Sequence, residues 1–350
     1  MEESSLLVSP EEGPPSGVIF PWVKTILLTL GDAAGIGPEV IVKCLAHVGA
    51  NNHSPQRGNI RPVVIGELDI LRDTAESLNL SVRFVPEDEV VSDGEIAVRS
   101  LGLLRRDDFE AGQLSAMCGN AAFHYFAHAV EECLAGRAEG VVTAPLNKAA
   151  MNIAGHHFVG HTDILEKMTG VDGPVMALWH PQLMVSHVTD HLPLRQALRN
   201  ITIPRVKRVV KLTWEALRRA NGKDPRIALA GVNPHAGENG LFGLEEIEIL
   251  RPAMEDLKHE GFPVLGPFPG DTIFLQGLRG HFDAVIAMYH DQGFGPMKTM
   301  DFANGVNCTL GLPFVRTSPD HGTAFDIAGK GEAEPESMIA AWNLAVKLLQ

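Results

Sequence analysis

Three histidines stand where apolar runs give way to polar residues. His191 follows the run Leu183–Val188 through Thr189-Asp190, His235 follows Ile227–Val232 through Asn233-Pro234, and His290 follows Ala284–Ala287 through Met288-Tyr289. Parallel strands end on one edge of their sheet, so three such exits can converge. Imidazole is the commonest side-chain metal ligand, and three of them with positions left for a substrate describe a catalytic metal site. The donor set suits zinc, cobalt, nickel or manganese better than calcium. With fifteen histidines in the chain, separate loop histidines are the competing reading.

Beyond His290 come Lys298, Asn307 and Arg316, separated by glycines and prolines. Together they suit an anionic, phosphorylated small molecule, because arginine contacts phosphate or carboxylate in bidentate fashion. Surface cations would read the same by composition. Upstream, Gly160-His161-Thr162-Asp163 precedes a helical Ile164–Met168, where Thr162 also fits an N-cap. No GxSxG elbow, cysteine-nucleophile signature or kinase motif is present. These residues favour a metal-assisted enzyme acting on a small anion and leave its reaction open. A metal-dependent hydrolase or aldolase, and a non-catalytic sugar-phosphate-binding protein, are the rival classes.

The elements that must carry these side chains alternate. Val23–Leu30 reads as a strand, followed by the turn Gly31–Glu39 and a helical Val40–Ala46. Pro38 and Glu39 suit a first helical turn. The turn is neither GxGxxG nor a P-loop. Val63–Ile65, Ile70–Leu78 and Val82–Val85 read as strand, helix, strand, the signature of a parallel sheet. A helix in Leu114–Leu134 leads to a buried strand, Gly140–Ala144, whose exit continues to Asn147-Lys148. Val175–Leu178, Leu183–Val188, Ile227–Val232 and Val264–Pro267 complete the predicted strands. Helices are expected at Pro204–Ala220, at Leu244–His259 with an interruption at Pro252, and at Ser337–Leu349. After His290 the chain is expected to run on as a Gly/Pro loop.

A chain of 350 residues with 45% hydrophobic and 21% charged content has room for two α/β domains. The net charge of −14 argues against a nucleic-acid or anionic-membrane surface. Four scattered cysteines suit reduced thiols in the cytoplasm. No apolar run reaches membrane-spanning length. Residues 1–22, acidic and rich in Pro and Gly, read as a flexible extension.

From Val23 onward the chain resembles the 4-hydroxythreonine-4-phosphate dehydrogenase family of vitamin B6 biosynthesis. GDAAGIGPE, TAPLNK, GHTDIL, TDHLPL, NPHAGE, GDT, AMYHDQG, GVNCTLGLPFVRTSPDHGTA and DIAGKGEA carry the likeness, in the family's order. The resemblance implies an α/β fold of two α/β/α lobes with a central cleft, like the isocitrate and isopropylmalate dehydrogenases. On that pattern a cofactor-side lobe spans 23–145 plus 305–350, and a metal, substrate and dimerisation lobe spans 146–304. It implies a homodimer with shared active sites and one divalent metal (zinc, cobalt, magnesium or manganese) on His191, His235 and His290. His290 would come from the partner subunit.

By the same resemblance, His161, Thr162, Lys298, Asn307 and Arg316 would bind substrate, with Lys298 and the three histidines catalytic. His321, Gly322, Thr323, Ala324 and Asp326 match a loop that binds NAD or NADP. The implied reaction oxidises the C3 hydroxyl of 4-hydroxythreonine 4-phosphate and decarboxylates the β-keto acid. VNPHAGENGLFG, TAPLNK and HGTAFDIA look closer to a paralogous branch that oxidises 4-phospho-D-threonate or 4-phospho-D-erythronate.

Overall fold

A computed structural model describes residues 24–50, 60–89, 91–92, 94–300 and 305–350, so the expected extension at 1–22 lies outside the described residues. The strands are β1 (Lys24–Thr29), β2 (Ile60–Gly66), β3 (Arg83–Pro86), β4 (Glu95–Ser100), β5 (Gly140–Thr143), β6 (Val175–Trp179), β7 (Met184–His187), β8 (Ile227–Ala230), β9 (Val264–Phe268), β10 (Ala284–Ala287), β11 (Val306–Leu310) and β12 (Val315–Pro319). The helices are α1 (Gly37–Ala50), α2 (Leu68–Ser77), α3 (Ala116–Leu134), α4 (Lys148–Ile153), α5 (His161–Thr169), α6 (Leu194–Asn200), α7 (Ile203–Asn221), α8 (Arg251–His259), α9 (Ile273–Leu278), α10 (His290–Met300) and α11 (Glu336–Leu349).

All the strands join one sheet in the order β3-β4-β2-β1-β5-β12-β11-β6-β7-β10-β8-β9. The α/β class with a large central sheet is therefore as expected. On one side β3, β4, β2, β1, β5 and β12 run parallel; on the other β7, β10, β8 and β9 run parallel. Between them β12, β11, β6 and β7 pair antiparallel. This antiparallel seam reverses the sense of the sheet, so the two parallel blocks point opposite ways.

Parallel strands covered on both faces read as unbroken apolar runs, and β1, β5, β8 and β10 do so because their interiors are fully buried. Helix α7 shows the complementary pattern. Val206, Val209, Val210, Thr213, Trp214 and Leu217 are buried along one face, Thr202 accepts from Arg205 N at 3.4 Å as N-cap, and Gly222 closes the helix at φ +67°. A compact second cluster, including Val185, Ala230, Phe274, Ala287, Phe294 and Met297, fills the space under α9 and α10.

Three expectations are corrected. The segment after His290 is helix α10, although it contains Pro296. Burial of Gly293, Phe294 and Met297 at helical spacing outweighs the one backbone bond that Pro296 cannot donate. Pro252 does not interrupt a helix but sits in the first turn of α8, behind a π-helical turn at Glu246–Leu250. The stretches holding Asn307 and Arg316 are strands β11 and β12 rather than loop. No helix among the described residues is long and apolar enough to cross a membrane.

Candidate active site

Register pairs place one row of side chains across the seam. Val141 on β5 pairs with Arg316 on β12, Arg316 with Thr309 on β11, and Thr309 with Met176 on β6. Partners in register project from the same face of a sheet. That face is the floor of a cavity of about 250 Å³. Arg316 and Met176 line it, together with Thr143, Lys148, His161, Thr162, Asp163, His191, Asn307, Asp320, His321 and Gly322. Predicted residues from four separate segments thus meet in one place.

Arg316 dominates the floor. It is 4% exposed, and its guanidinium donates to Thr143 Oγ1 (2.9 Å), Thr309 Oγ1 (3.1 Å) and Asn307 Oδ1 (3.3 Å), with Nε left unbonded. None of these partners is charged, and burial lowers its pKa to about 10. A buried guanidinium held only by neutral oxygens is a half-made ion pair that an anion in the cavity would complete.

The wall is the N-terminus of α5. Gly160 occupies its N-cap, so Thr162 lies inside the first turn rather than capping it. The backbone N–H groups of such a turn attract anions. His161 packs edge-to-face on Phe126 with ring centroids 4.6 Å apart. Burial, then Arg316 and Lys148, hold it well below the usual histidine range, so it is neutral at pH 7. Lys148 and Thr143, at the exit of β5, were visible as a polar strand exit but received no role from the sequence. Asp320 was missed as well. Burial raises its pKa against the opposing charge of Lys298, whose Nζ lies 3.5 Å from its carboxylate. Lys298 therefore reaches the cavity rim through Asp320.

Of the three predicted metal ligands, the chain brings two together. β7 and β10 are parallel neighbours, so their exits carry His191 and His290 to the same edge, with ring centroids 5.2 Å apart. His290, expected from a partner subunit, lies here beside His191 of its own chain. His235 stands apart. It is exposed, and its aromatic neighbour is Phe242 at 5.9 Å. Among the described residues, no group of three or more His, Cys, Asp or Glu side chains could hold a metal ion.

His235 belongs to an unusual turn. His235, Ala236, Gly237, Glu238 and Asn239 all have positive φ, from 40° to 79°, forming a short left-handed coil. Each non-glycine residue there costs roughly 1–2 kcal/mol. Buried Glu246 fastens the coil by accepting from Asn233 N (2.8 Å) and Asn233 Nδ2 (2.9 Å). A Cβ on Gly237 would lie 2.6 Å from Glu246 Oε2, so only glycine fits there. Leu241, Phe242, Leu244 and Ile247 surround the coil with exposed apolar surface.

The donor chemistry fits a divalent metal in part. Burial lowers the His191 pKa, leaving the neutral imidazole that ligation requires. Among the described residues no third histidine, cysteine or carboxylate joins the pair in a group that could hold a metal ion. For a nicotinamide cofactor, His321 Nε2 is a buried ring nitrogen without a partner, and Gly322 opens on free space beside it. The same loop is anchored to the Gly31–Glu39 turn: Ile36 N donates to Thr323 O (3.0 Å) and Gly329 N to Glu39 Oε1 (2.6 Å). Ala324 takes φ +41°, and Asp326 is exposed. Those residues therefore fit a cofactor held by loop backbone at the cavity mouth.

Comparison with known proteins adds a family. A family model described as pyridoxal phosphate biosynthetic protein PdxA matches residues 58–345. The D-threonate 4-phosphate dehydrogenase of Salmonella typhimurium is 45% identical over 330 residues, covering 93% of this chain and 99% of its own length. The 4-hydroxythreonine-4-phosphate dehydrogenase of Beijerinckia indica is 40% identical over 327 residues, covering 92% and 94%. A solved structure of 4-hydroxythreonine-4-phosphate dehydrogenase from Klebsiella pneumoniae superposes with a TM-score of 0.79 at 42% identity, covering 94% of this chain and 99% of that one.

Proposed function

The chain belongs to the family of the pyridoxal phosphate biosynthetic protein PdxA, and from that membership we propose that it oxidises the C3 hydroxyl of a four-carbon hydroxy acid 4-phosphate and releases CO₂. It is an enzyme, a dehydrogenase. The observation that carries the substrate class is Arg316, buried at the floor of the cavity among neutral oxygens only.

Arg316, Asn307, Lys148 and the first turn of α5 hold the two anionic ends of the substrate, fixing C3 in one orientation. Thr162 and neutral His161 supply hydrogen bonds without adding charge. Lys298 and Asp320 form a proton-bearing pair at the rim. His191 and His290, completed by His235 of a second copy, would hold the divalent metal. When bound, the metal supplies Lewis-acid polarisation that lowers the pKa of the alcohol. NAD or NADP, held by His321, Gly322, Thr323, Ala324 and Asp326, supplies the hydride acceptor. Oxidation at C3 leaves a β-keto acid, and such acids lose CO₂ readily.

Two observations support a second copy. His235 is exposed on a coil held in left-handed backbone conformations, and an exposed apolar collar surrounds it. A homodimer in which each site combines both chains satisfies both. The two-lobe division, 23–145 with 305–350 against 146–304, would place the cavity at the boundary between the lobes. A cytoplasmic enzyme suits the family and the reduced cysteines.

The contacts proposed here would serve 4-hydroxythreonine 4-phosphate and D-threonate 4-phosphate alike, because the two differ only at C2. The name of the Beijerinckia relative supports the first, and that of the Salmonella relative, at higher identity, supports the second. NADH formation with each substrate and with D-erythronate 4-phosphate, with and without chelator, separates them. Absence of NAD(P)H from all three would overturn the proposal in favour of a hydrolase or a binding protein.

A further inference from the structure

One buried histidine takes no part in the site as described. The register row that carries Arg316, Thr309 and Met176 continues to His187 on β7, and from there to Ala287 on β10. His187 is 1% exposed, and it lies on the cavity face of the sheet, one strand beyond the cavity wall. Its Nδ1 is 3.3 Å from Met176 O and donates there in the Nδ1-protonated tautomer. Its Nε2 is buried without a partner. An apolar side chain here would remove the unpaired Nε2, at the cost of the bond to Met176 O.

What the ring touches gives it a use. Its centroid is 5.0 Å from that of Phe294, and Phe294 in turn stacks on His290 at 4.1 Å with 11° between planes. His187 and His290 centroids are 6.3 Å apart. The first turn of α10 is pressed against the same ring: a methyl on Gly293 would lie 2.3 Å from His187 Nε2 and 2.9 Å from Val185 Cγ1. Gly293 is therefore glycine so that the helix bearing His290 can seat on this imidazole. Gln292 fixes the turn from its other side, accepting from Met288 N at 2.6 Å and donating to Gly231 O at 2.7 Å.

We propose that His187 is a positioning residue, which sets the plane of the His290 imidazole through Phe294 and ties it to the Met176 wall of the substrate cavity. This rests on the reading of His290 as a metal ligand. Residues behind a metal ligand that fix its orientation typically change metal affinity by tenfold or more when removed. Because β6 and β7 are adjacent, the contact also couples the cavity wall to the histidine pair.

The test compares the full-length wild type with His187→Leu, His187→Asn and His290→Ala, using Co²⁺ as the probe. His187→Leu should weaken Co²⁺ binding by about tenfold in calorimetry and alter the visible Co²⁺ spectrum. It should lower kcat with KM within about twofold. His187→Asn, which keeps a donor for Met176 O but lacks the ring, should share the Co²⁺ defect, and it serves if the leucine variant does not fold. Wild-type affinity and spectrum in both variants, with binding lost in His290→Ala, would overturn the inference alone. Equal Co²⁺ binding by wild type and His290→Ala would overturn the metal reading. In that case the ring ¹⁵N signals of His290 in the metal-free chain decide: they should shift in His187→Leu, and unmoved signals sink the positioning role.

Discussion

Two buried charged residues carry the residue-scale predictions, and removing either charge should not destabilise the chain. Arg316 holds a charge that substrate is to neutralise. Arg316→Met should raise KM for the phosphorylated substrate by roughly 10- to 150-fold, the equivalent of a charge-assisted bond of about 1.5–3 kcal/mol. The thermal midpoint of the unliganded chain should hold or rise, because a buried unpaired charge is gone. Substrate kinetics and calorimetric melting check the two halves separately. Asp32, in the turn after β1, is fully buried, and its Oδ1 accepts from Ala34 N at 2.9 Å while Oδ2 has no partner. Burial raises its pKa from 3.8 to about 6. The folded chain thus binds this proton more tightly than the unfolded chain, so stability falls as pH rises from 3.8 to about 6 and stays lowered above it. Asp32→Asn keeps the acceptor for Ala34 and removes the titration. It should match wild type near pH 4 and exceed it by about 3 kcal/mol at pH 8 in urea unfolding, from a shift of about two units. A constant difference across pH would refute the assignment.

At the scale of elements, the left-handed coil at His235–Asn239 makes the sharpest prediction. Glu238 is exposed at φ +40°, so Glu238→Gly should stabilise the chain by roughly 0.5–1 kcal/mol through relief of strain. Gly237→Ala should destabilise it by more than that, since the new methyl meets Glu246. Urea midpoints decide both. These elements also divide what the sequence could reveal from what it could not. Strand exits were legible, because a four-residue apolar run ending in Thr, Asn or Tyr leaves a sharp change of polarity at His191, His235 and His290. Helix α10 was not legible, since its two glycines and its proline carry the composition of a loop. The reason for Gly293 is a ring contributed by a strand about a hundred positions away. The coil was hidden for a similar cause, because Glu246, the residue that holds it, lies in a helical turn with nothing in its spacing to mark the contact. Lys148 and Asp320 were in view as residues but lacked a partner until the cavity joined their segments. His187 was concealed within an apolar strand, where a lone histidine reads as core.

For the whole molecule, the apolar collar predicts the assembly. Sedimentation should give twice the 37.8 kDa chain mass, and Leu241→Glu, at a position 73% exposed in the single chain, should give monomers without activity. If His290 and His235 of one site come from different chains, His235→Ala and His290→Ala are each inactive but complement each other. Reassociating equal amounts should restore about a quarter of wild-type activity, because half the dimers are mixed and each holds one intact site. No recovery on mixing would place both histidines in one chain's site.

The antiparallel seam also has a consequence in time. The ribosome delivers Thr143 long before its partner: Arg316 lies 173 residues downstream, roughly 10–35 s at ordinary rates of synthesis. Until β12 arrives, the edge of β5 is an unpaired apolar strand on a nascent chain, the kind of surface that pairs with neighbours. Lys24 on β1 must likewise wait for Leu349 O, and Thr317 for Ala341 O, before α11 covers the join. The cavity that Arg316 lines is accordingly among the last parts of the chain to be completed.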